Sequence, residues 1–149
     1  EMVASTTLLN RIGGELSANP AVHAITDVTG FGLLGHGLEL ARGSNLTAVI
    51  KAADVPLFAH ANKLAQAGFI TGASKRNWAS YGNAVSLPAG MPDWQRDLLA
   101  DPQTSGGLLV SCAAKDAQAV LKSIIEAGYP AAKIVGYTES GPPGVRVAS

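Results

Sequence analysis

Apolar residues recur along the chain with two spacings, and these spacings predict alternating helices and strands. Leu8, Ile12 and Leu16 lie four residues apart and predict a helix over residues 2–18, although two glycines in its middle weaken it. Similar apolar faces and short apolar runs predict the other elements. The predicted helices cover residues 31–42, 57–67, 93–99 and 115–126, and the predicted strands cover residues 21–25, 46–50, 108–111, 133–138 and 145–147.

Glycine and proline mark several boundaries of these elements. Gly43 and Gly68 follow two predicted helices and are expected to end them, and Pro92 is expected to open another. Helices and strands intermix along the whole chain. The sequence therefore predicts an α/β (α+β) fold, a layered sandwich in which helices cover a mixed β-sheet.

Residues 71–86 have no apolar period and many polar groups, which predicts a long loop. Long loops in compact domains are often functional. Lys75 and Arg76 in this segment could meet phosphate oxygens. The alternative is an ordinary solvated loop, because most surface charges have no partner of note.

Composition narrows the class of protein. The chain has 149 residues, of which 47% are hydrophobic and 15% charged, so a single domain with a full core is expected. Its 11 basic and 11 acidic residues balance, which argues against a nucleic-acid partner. No apolar stretch approaches the roughly 18 residues of a membrane helix. The chain begins with Glu1 and without a secretory signal pattern, so it is expected to be cut from something longer.

The single cysteine, Cys112, rules out an internal disulfide framework and a multi-cysteine zinc site. It lies in an apolar run and is expected to be a buried hydrophobe in a strand. His23, His36 and His60 have no metal-cluster spacing and are expected to be structural or exposed, with His36 set apart by its place in the motif described next. The sequence gives no support for a Ser/His/Asp triad or for acyl transfer.

The first motif with chemical content is TDVTGFGLLGH, residues 26–36. A carboxylate ends a strand, and hydroxyls and glycines follow before a helix begins. The N–H groups of a helix N-terminus suit a phosphate, and Asp27 could hold Mg²⁺ beside it. The alternative is that Asp27 or Thr29 simply caps the helix.

The second motif is DPQTSGG, residues 101–107. It places an acid, an amide, two hydroxyls and two glycines directly before a strand. Successive N–H groups in such a turn can form a nest that binds an anion. An ordinary turn at the entry to the strand uses the same residue types, so both interpretations stay open.

Together the motifs TDVTGFGLLGH and, at residues 101–110, DPQTSGGLLV closely resemble the selenide, water dikinase (selenophosphate synthetase) family. The segment GASKRNWASYG, residues 72–82, is similar to its bacterial members. The resemblance implies an aminoimidazole ribonucleotide synthetase-like fold and an enzyme that makes selenophosphate from selenide, ATP and water, releasing AMP and phosphate. It also implies Mg²⁺ as cofactor, a homodimer when full length and a cytoplasmic location.

The resemblance also implies roles for particular residues. Asp27 matches an aspartate that binds Mg²⁺ at the ATP phosphates. The residues matched to the turn around it are Thr26, Thr29, Gly30 and Gly32, and those expected to line the cleft are Thr104, Ser105, Gly106 and Gly107. The family's reactive cysteine or selenocysteine and its lysine have no match, since Cys112 lies elsewhere. Residues 1–149 are therefore expected to form the C-terminal domain of a two-domain enzyme, without its N-terminal ATP-binding and dimerisation domain and inactive alone.

Two alternatives to this function stay open. One is another ATP-dependent member of the same superfamily, against which the run at residues 101–107 argues, because such relatives carry different loops there. The other is a non-catalytic scaffold or binding module that keeps the fold.

Overall fold

The computed structural model describes residues 1–148, so that residue 149, the last of the predicted domain, lies outside the described residues. The helices are α1 Met2–Thr6, α2 Ile12–Ser17, α3 Gly32–Ser44, α4 Ala61–Gln66, α5 Gly72–Tyr81, α6 Asp93–Leu99 and α7 Ala117–Glu126. The strands are β1 Val22–Asp27, β2 Thr47–Lys51, β3 Val85–Ser86, β4 Leu108–Cys112, β5 Gly136–Glu139 and β6 Gly144–Ala148. No helix in residues 1–148 is long and apolar enough to cross a membrane.

Four strands form a mixed sheet in the order β3-β6-β2-β5, which confirms the predicted fold class. Strand β6 runs parallel to β2 and β3, and β5 runs antiparallel to β2. Strands β5 and β6 are neighbours in sequence but do not pair, because β2 lies between them. Strands β1 and β4 pair separately as a two-stranded antiparallel ribbon.

The core divides into two clusters. In the larger one, Leu34 and Leu38 of α3 pack with Ile50 and Val145 of the four-stranded sheet. In the smaller one, Ile12, Leu16 and Val120 bring α2 and α7 together over the β1–β4 ribbon. Burial of these side chains, each worth about 1.5–3 kcal/mol, holds the helices on the sheet and the ribbon.

Helix α3 continues through Gly43, so the predicted stop at that glycine is wrong. Asn45 ends the helix in the left-handed conformation, with φ of 56°. The N–H of Leu46 then donates to the Ala41 carbonyl over 3.0 Å. Asparagine can terminate a helix in this way almost as glycine does.

Two other predicted helices are shorter than their apolar patterns suggested. The first is interrupted between α1 and α2, where Leu8 and Leu9 are exposed, so the single helix over residues 2–18 is wrong. Helix α4 begins only at Ala61, because residues 57–58 are irregular and residues 59–60 form a turn. Isolated helices of this length are marginal, and the core contacts decide where they form.

The predicted loop over residues 71–86 is wrong, because most of it forms helix α5. The Thr71 hydroxyl caps this helix by accepting the Ser74 N–H over 3.2 Å. The inward face of α5 carries Ser74 and Asn77 beside Trp78 and Tyr81, so polar side chains interrupt the apolar pattern by which a helix is found. Strand β3 follows a short turn and was not predicted either.

Candidate functional site

Pairing of β1 with β4 brings the two sequence motifs together. Asp27 lies opposite Leu108 at the end of the ribbon, so residues 28–31 leave the ribbon beside residues 101–107. The N–H of Val28 donates to the Gly107 carbonyl over 2.9 Å, and the N–H of Gln103 donates to the Thr29 carbonyl over 3.0 Å. We call residues 28–31 the first loop, residues 101–107 the second loop, and the two together the loop pair.

Two of the four predicted glycines are required by close approach. A Cβ on Gly106 would lie 1.6 Å from the Val28 carbonyl oxygen. Gly32 has φ of 68°, and a Cβ there would lie 2.6 Å from the Ala100 carbonyl carbon. Gly30 and Gly107 would meet no atom within 4 Å, so they leave open space beside the loop pair.

Asp27 ends β1 with an exposed side chain. Among residues 1–148 its carboxylate has no hydrogen-bond or ion-pair partner. Helix α3 begins at Gly32 without a side-chain cap, so the alternative that Asp27 or Thr29 caps this helix is wrong. The Asp27 carboxylate is therefore available to a ligand.

Asp101, the acid of the second motif, differs from Asp27 because its carboxylate is fully engaged by hydrogen bonds within the domain. One of its carboxylate oxygens accepts the hydroxyls of Thr71 over 3.0 Å and Ser74 over 2.9 Å. The other oxygen accepts the amide of Gln103 over 3.2 Å. These three bonds fix the start of the second loop, and they make Asp101 a structural acid.

Thr29, His36 and Glu39 form a chain of hydrogen bonds. Thr29 Oγ1 lies 3.2 Å from His36 Nε2, and His36 Nδ1 lies 2.8 Å from Glu39 Oε2. His36 is 6% exposed, whereas the Glu39 side chain is 55% exposed. Sequence reasoning treated His36 as structural or exposed and missed the chain. The i,i+3 spacing of His36 and Glu39 on a helix was the available signal.

Helix α5 holds the loop pair through its polar face. The Asn77 amide donates to the carbonyls of Gly30 over 2.8 Å and Ala100 over 2.9 Å, one on each side of the site. The Tyr81 hydroxyl donates to the Phe31 carbonyl over 2.7 Å. Burial raises the pKa of Tyr81 to about 12, so the hydroxyl keeps the proton that it donates. The segment therefore supports the site as a helix, not as a ligand-binding loop.

We expect Asn77→Ala to destabilise the domain by about 1–3 kcal/mol, because it leaves the buried Ala100 carbonyl without its donor. Asn83→Ala is the matched control, since Asn83 is exposed and makes no side-chain hydrogen bond within the described part of the chain. Urea unfolding followed by circular dichroism measures both variants. Equal stability of the two variants would contradict the role of Asn77.

Lys75 and Arg76 are exposed on α5 and form no ion pair within residues 1–148, in line with the solvated alternative.

Thr104 and Ser105 are exposed at the second loop. Among residues 1–148 the backbone N–H groups of residues 104–107 have no acceptor, so they are free to donate to a ligand. The Thr26 hydroxyl donates to the Asp27 carbonyl over 3.2 Å.

The described residues contain no group of three or more His, Cys, Asp and Glu side chains that could hold a metal ion. Cys112 is half-buried against the smaller core cluster, and desolvation, together with the charge of Asp116, raises the pKa of its thiol. The raised pKa disfavours the thiolate, which is the nucleophilic form of cysteine.

Residues 4–148 match the family described as AIR synthase related protein, C-terminal domain. Because the match covers nearly the whole chain, the chain belongs to this family. This result confirms the superfamily that the sequence motifs implied.

Within that class the similar proteins are selenide, water dikinases. The chain is 59% identical over all 149 residues to the one from Rhizobium meliloti (strain 1021), and covers 43% of it. It is 56% identical over 140 residues to that of Paraburkholderia xenovorans (strain LB400), covering 94% of this chain and 40% of the relative. It is 53% identical over 146 residues to that of Pseudomonas straminea, covering 98% and 41%. The chain thus spans about two fifths of the length of these relatives.

Proposed function

We propose that this chain is the C-terminal domain of an enzyme that makes selenophosphate from selenide, ATP and water, releasing AMP and phosphate. The relatives' name supports this activity, as does the similarity to them over 94–100% of this chain. The observation that carries the proposal lies at one end of the ribbon, where Asp27 precedes the loop pair. Among residues 1–148 its carboxylate has no partner, and the N–H groups of residues 104–107 in the neighbouring turn have no acceptor. Such an arrangement suits a cation and the phosphate oxygens bound to it.

Asp27 fits the role of an Mg²⁺ ligand. It offers a hard oxygen donor that no neighbour within residues 1–148 engages. Mg²⁺ at a nucleotide commonly takes one or two carboxylates, with phosphate oxygens and water as its other ligands. When bound, Mg²⁺ would neutralise phosphate charge and help to align the transferring group. Further carboxylates would have to come from outside this domain.

The second loop fits the phosphate end of ATP. Its N–H groups at residues 104–107, which have no acceptor within the described part of the chain, can donate to phosphate oxygens. The hydroxyls of Thr104 and Ser105 can donate to the same oxygens. Gly30 and Gly107 leave room for a ligand to approach the backbone. Gly32 and Gly106 act indirectly, because they allow the two loops to lie close together.

The rest of the enzyme is part of the same proposal. The relatives are more than twice as long as this chain. We propose that an N-terminal domain of the same polypeptide holds most of the ATP, supplies the reactive cysteine or selenocysteine and mediates homodimerisation in the cytoplasm. Residues 1–149 would then close one side of the nucleotide site.

If the nucleotide site is shared between the two domains in this way, the isolated chain is predicted to hydrolyse no ATP and to bind Mg-ATP weakly at most. One carboxylate and one N–H-rich turn cannot hold a triphosphate with its metal ions. Isothermal titration calorimetry with a nonhydrolysable ATP analogue measures the affinity. Full-length protein, assayed for selenide-dependent AMP release, is the positive control. Tight binding by the isolated chain, or a full-length protein without this activity, would contradict the proposal.

A further inference from the structure

Helix α1 exposes apolar side chains and belongs to neither core cluster. None of its five residues is buried among residues 1–148, yet Met2 is 66% and Val3 68% exposed. A helix of this length is marginal by itself and is normally held by packing against a partner. Glu1 is the only charged residue in residues 1–10. The first part of the chain therefore has the composition of a contact surface, whose centre is depleted of charged residues.

A second group of exposed apolar side chains surrounds helix α4. Leu57 and Phe58 precede the helix, and Leu64 lies on it. Phe69 follows it and is 74% exposed. Gly68, with φ of 90°, ends the helix, and the N–H of Phe69 then donates to the Leu64 carbonyl over 3.0 Å. This type of helix end frequently brings the two apolar side chains together, so Leu64 and Phe69 are neighbours on the outside of the domain.

Glu1 joins the two groups. Its two carboxylate oxygens lie 3.3 and 3.2 Å from the Ala59 nitrogen and accept the Ala59 N–H, so the start of α1 lies beside residues 57–59. Helix α4 has six residues and is about 9 Å long, so the residues at its two ends are close in space. Large exposed apolar patches on proteins mark sites of interaction. We call the following six exposed residues the apolar surface: Met2, Val3, Leu57, Phe58, Leu64 and Phe69.

The segment that follows α1 connects the apolar surface to the candidate site. The side-chain amide of Asn10 donates to the Gly106 carbonyl over 2.9 Å, and Gly106 belongs to the second loop. The Tyr129 hydroxyl donates to the Leu9 carbonyl and holds the same segment from the other side of the chain. A partner that contacts α1 is therefore only a few residues away from a direct hydrogen bond to the loop pair.

We propose that the apolar surface is where the N-terminal domain of the same polypeptide docks. The proposal rests on the proposed function, which supplies that domain. The relatives are more than twice as long as this chain, and in the proposed enzyme the additional length precedes Glu1, directly beside Met2 and Val3. A domain tethered there has an effective concentration on the order of millimolar, so a modest apolar area is sufficient for docking. A second copy of this chain has no such tether.

Hydrogen–deuterium exchange tests the proposal without an activity assay. Residues 1–9 and 57–69 should exchange about tenfold more slowly, or slower still, in full-length protein than in residues 1–149 alone, because docking suppresses local opening. Strand β6, in the interior of the four-stranded sheet, should exchange equally in both proteins. Equal exchange of residues 1–9 and 57–69 in the two proteins would overturn the proposal. Protection that appears in residues 1–149 as their concentration rises would also overturn it, because a second copy would then cover the surface.

Phe69→Asp in full-length protein is the second test. A buried charge without a partner opposes docking, so residues 1–9 should exchange about tenfold faster than in the unmodified protein. Tyr137→Asp makes a similar change at an exposed aromatic residue on the edge strand β5 and should leave that exchange unchanged. Because Phe69 is mostly exposed, its substitution should leave the Tm of residues 1–149 unchanged.

Unchanged protection of residues 1–9 in Phe69→Asp would overturn the proposal. A full-length protein that protects both segments but releases no AMP with selenide would support the docking and contradict the proposed activity. The two proposals therefore fail separately.

Discussion

Asp27→Asn in the full-length protein is expected to lower the rate of selenide-dependent AMP formation by about 100-fold or more, the size typical for loss of one charge-stabilising contact. The asparagine keeps the shape of the side chain but removes the charge that would bind Mg²⁺. Since the carboxylate has no partner within residues 1–148, the substitution breaks no contact of the fold. The free energy of unfolding should change by no more than about 0.5 kcal/mol.

Asp93→Asn provides the matched control, because the Asp93 carboxylate is 85% exposed and pairs with Arg96 on α6. It makes the same chemical change outside the loop pair and should leave the rate unchanged, with a stability loss below about 1 kcal/mol. AMP release and thermal unfolding are measured on both variants. Near-normal activity of Asp27→Asn would refute the assigned role of Asp27. Loss of activity together with unfolding would refute the statement that the Asp27 carboxylate makes no contact on which the fold depends.

Gly106→Ala is expected to destabilise the domain by about 3 kcal/mol or more, because overpacking against backbone cannot be relieved by a side-chain rotation. The added Cβ would lie 1.6 Å from the Val28 carbonyl oxygen, so the two loops must separate. That separation would also break the contact between the Val28 N–H and the Gly107 carbonyl. Thermal unfolding should show a fall in Tm of roughly 10 °C for a domain of this size.

The substitution Gly107→Ala, at the next residue, is the control for Gly106→Ala. It shows whether a loss of stability comes from the close contact at Gly106 or from replacing any glycine of this loop by alanine. Gly107 has an ordinary φ, and a Cβ there would meet no atom within 4 Å. Its stability should be unchanged or higher by up to about 1 kcal/mol, since alanine restricts the unfolded chain. Similar losses for both variants would show that the loops are not held together as described.

The local pattern of apolar residues was sufficient to predict the position of those helices and strands whose buried face is apolar. Strand β2 at Thr47–Lys51 and the strands around Val22–Asp27 and Leu108–Cys112 follow such patterns and lie close to their predicted places. The family resemblance, carried by residues 26–36 and 101–110, is confirmed by the family match over residues 4–148. The function of Asp27 stays a prediction that the substitution described above tests.

The remaining features could not be predicted because they depend on contacts distant in sequence. Helix α5 has polar residues facing inward, and their partners are carbonyl groups 20 or more residues away, at Gly30 and Ala100. Gly106 looked like a cleft-lining residue, and only the pairing of β1 with β4 reveals what it faces. The saturation of Asp101 by Thr71, Ser74 and Gln103 likewise required the fold.

The hydrogen bonds from helix α5 to the backbone of the site have a consequence for how this site can evolve. Asn77 and Tyr81 hold the loops only by main-chain carbonyl oxygens, which every amino acid possesses. Mutations that exchange the other loop side chains therefore leave these anchors in place, provided that the close-packed glycines and Asp101, which accepts the Ser74 hydroxyl of α5, are retained. The scaffold can thus accommodate changes in ligand preference while its backbone geometry is inherited unchanged.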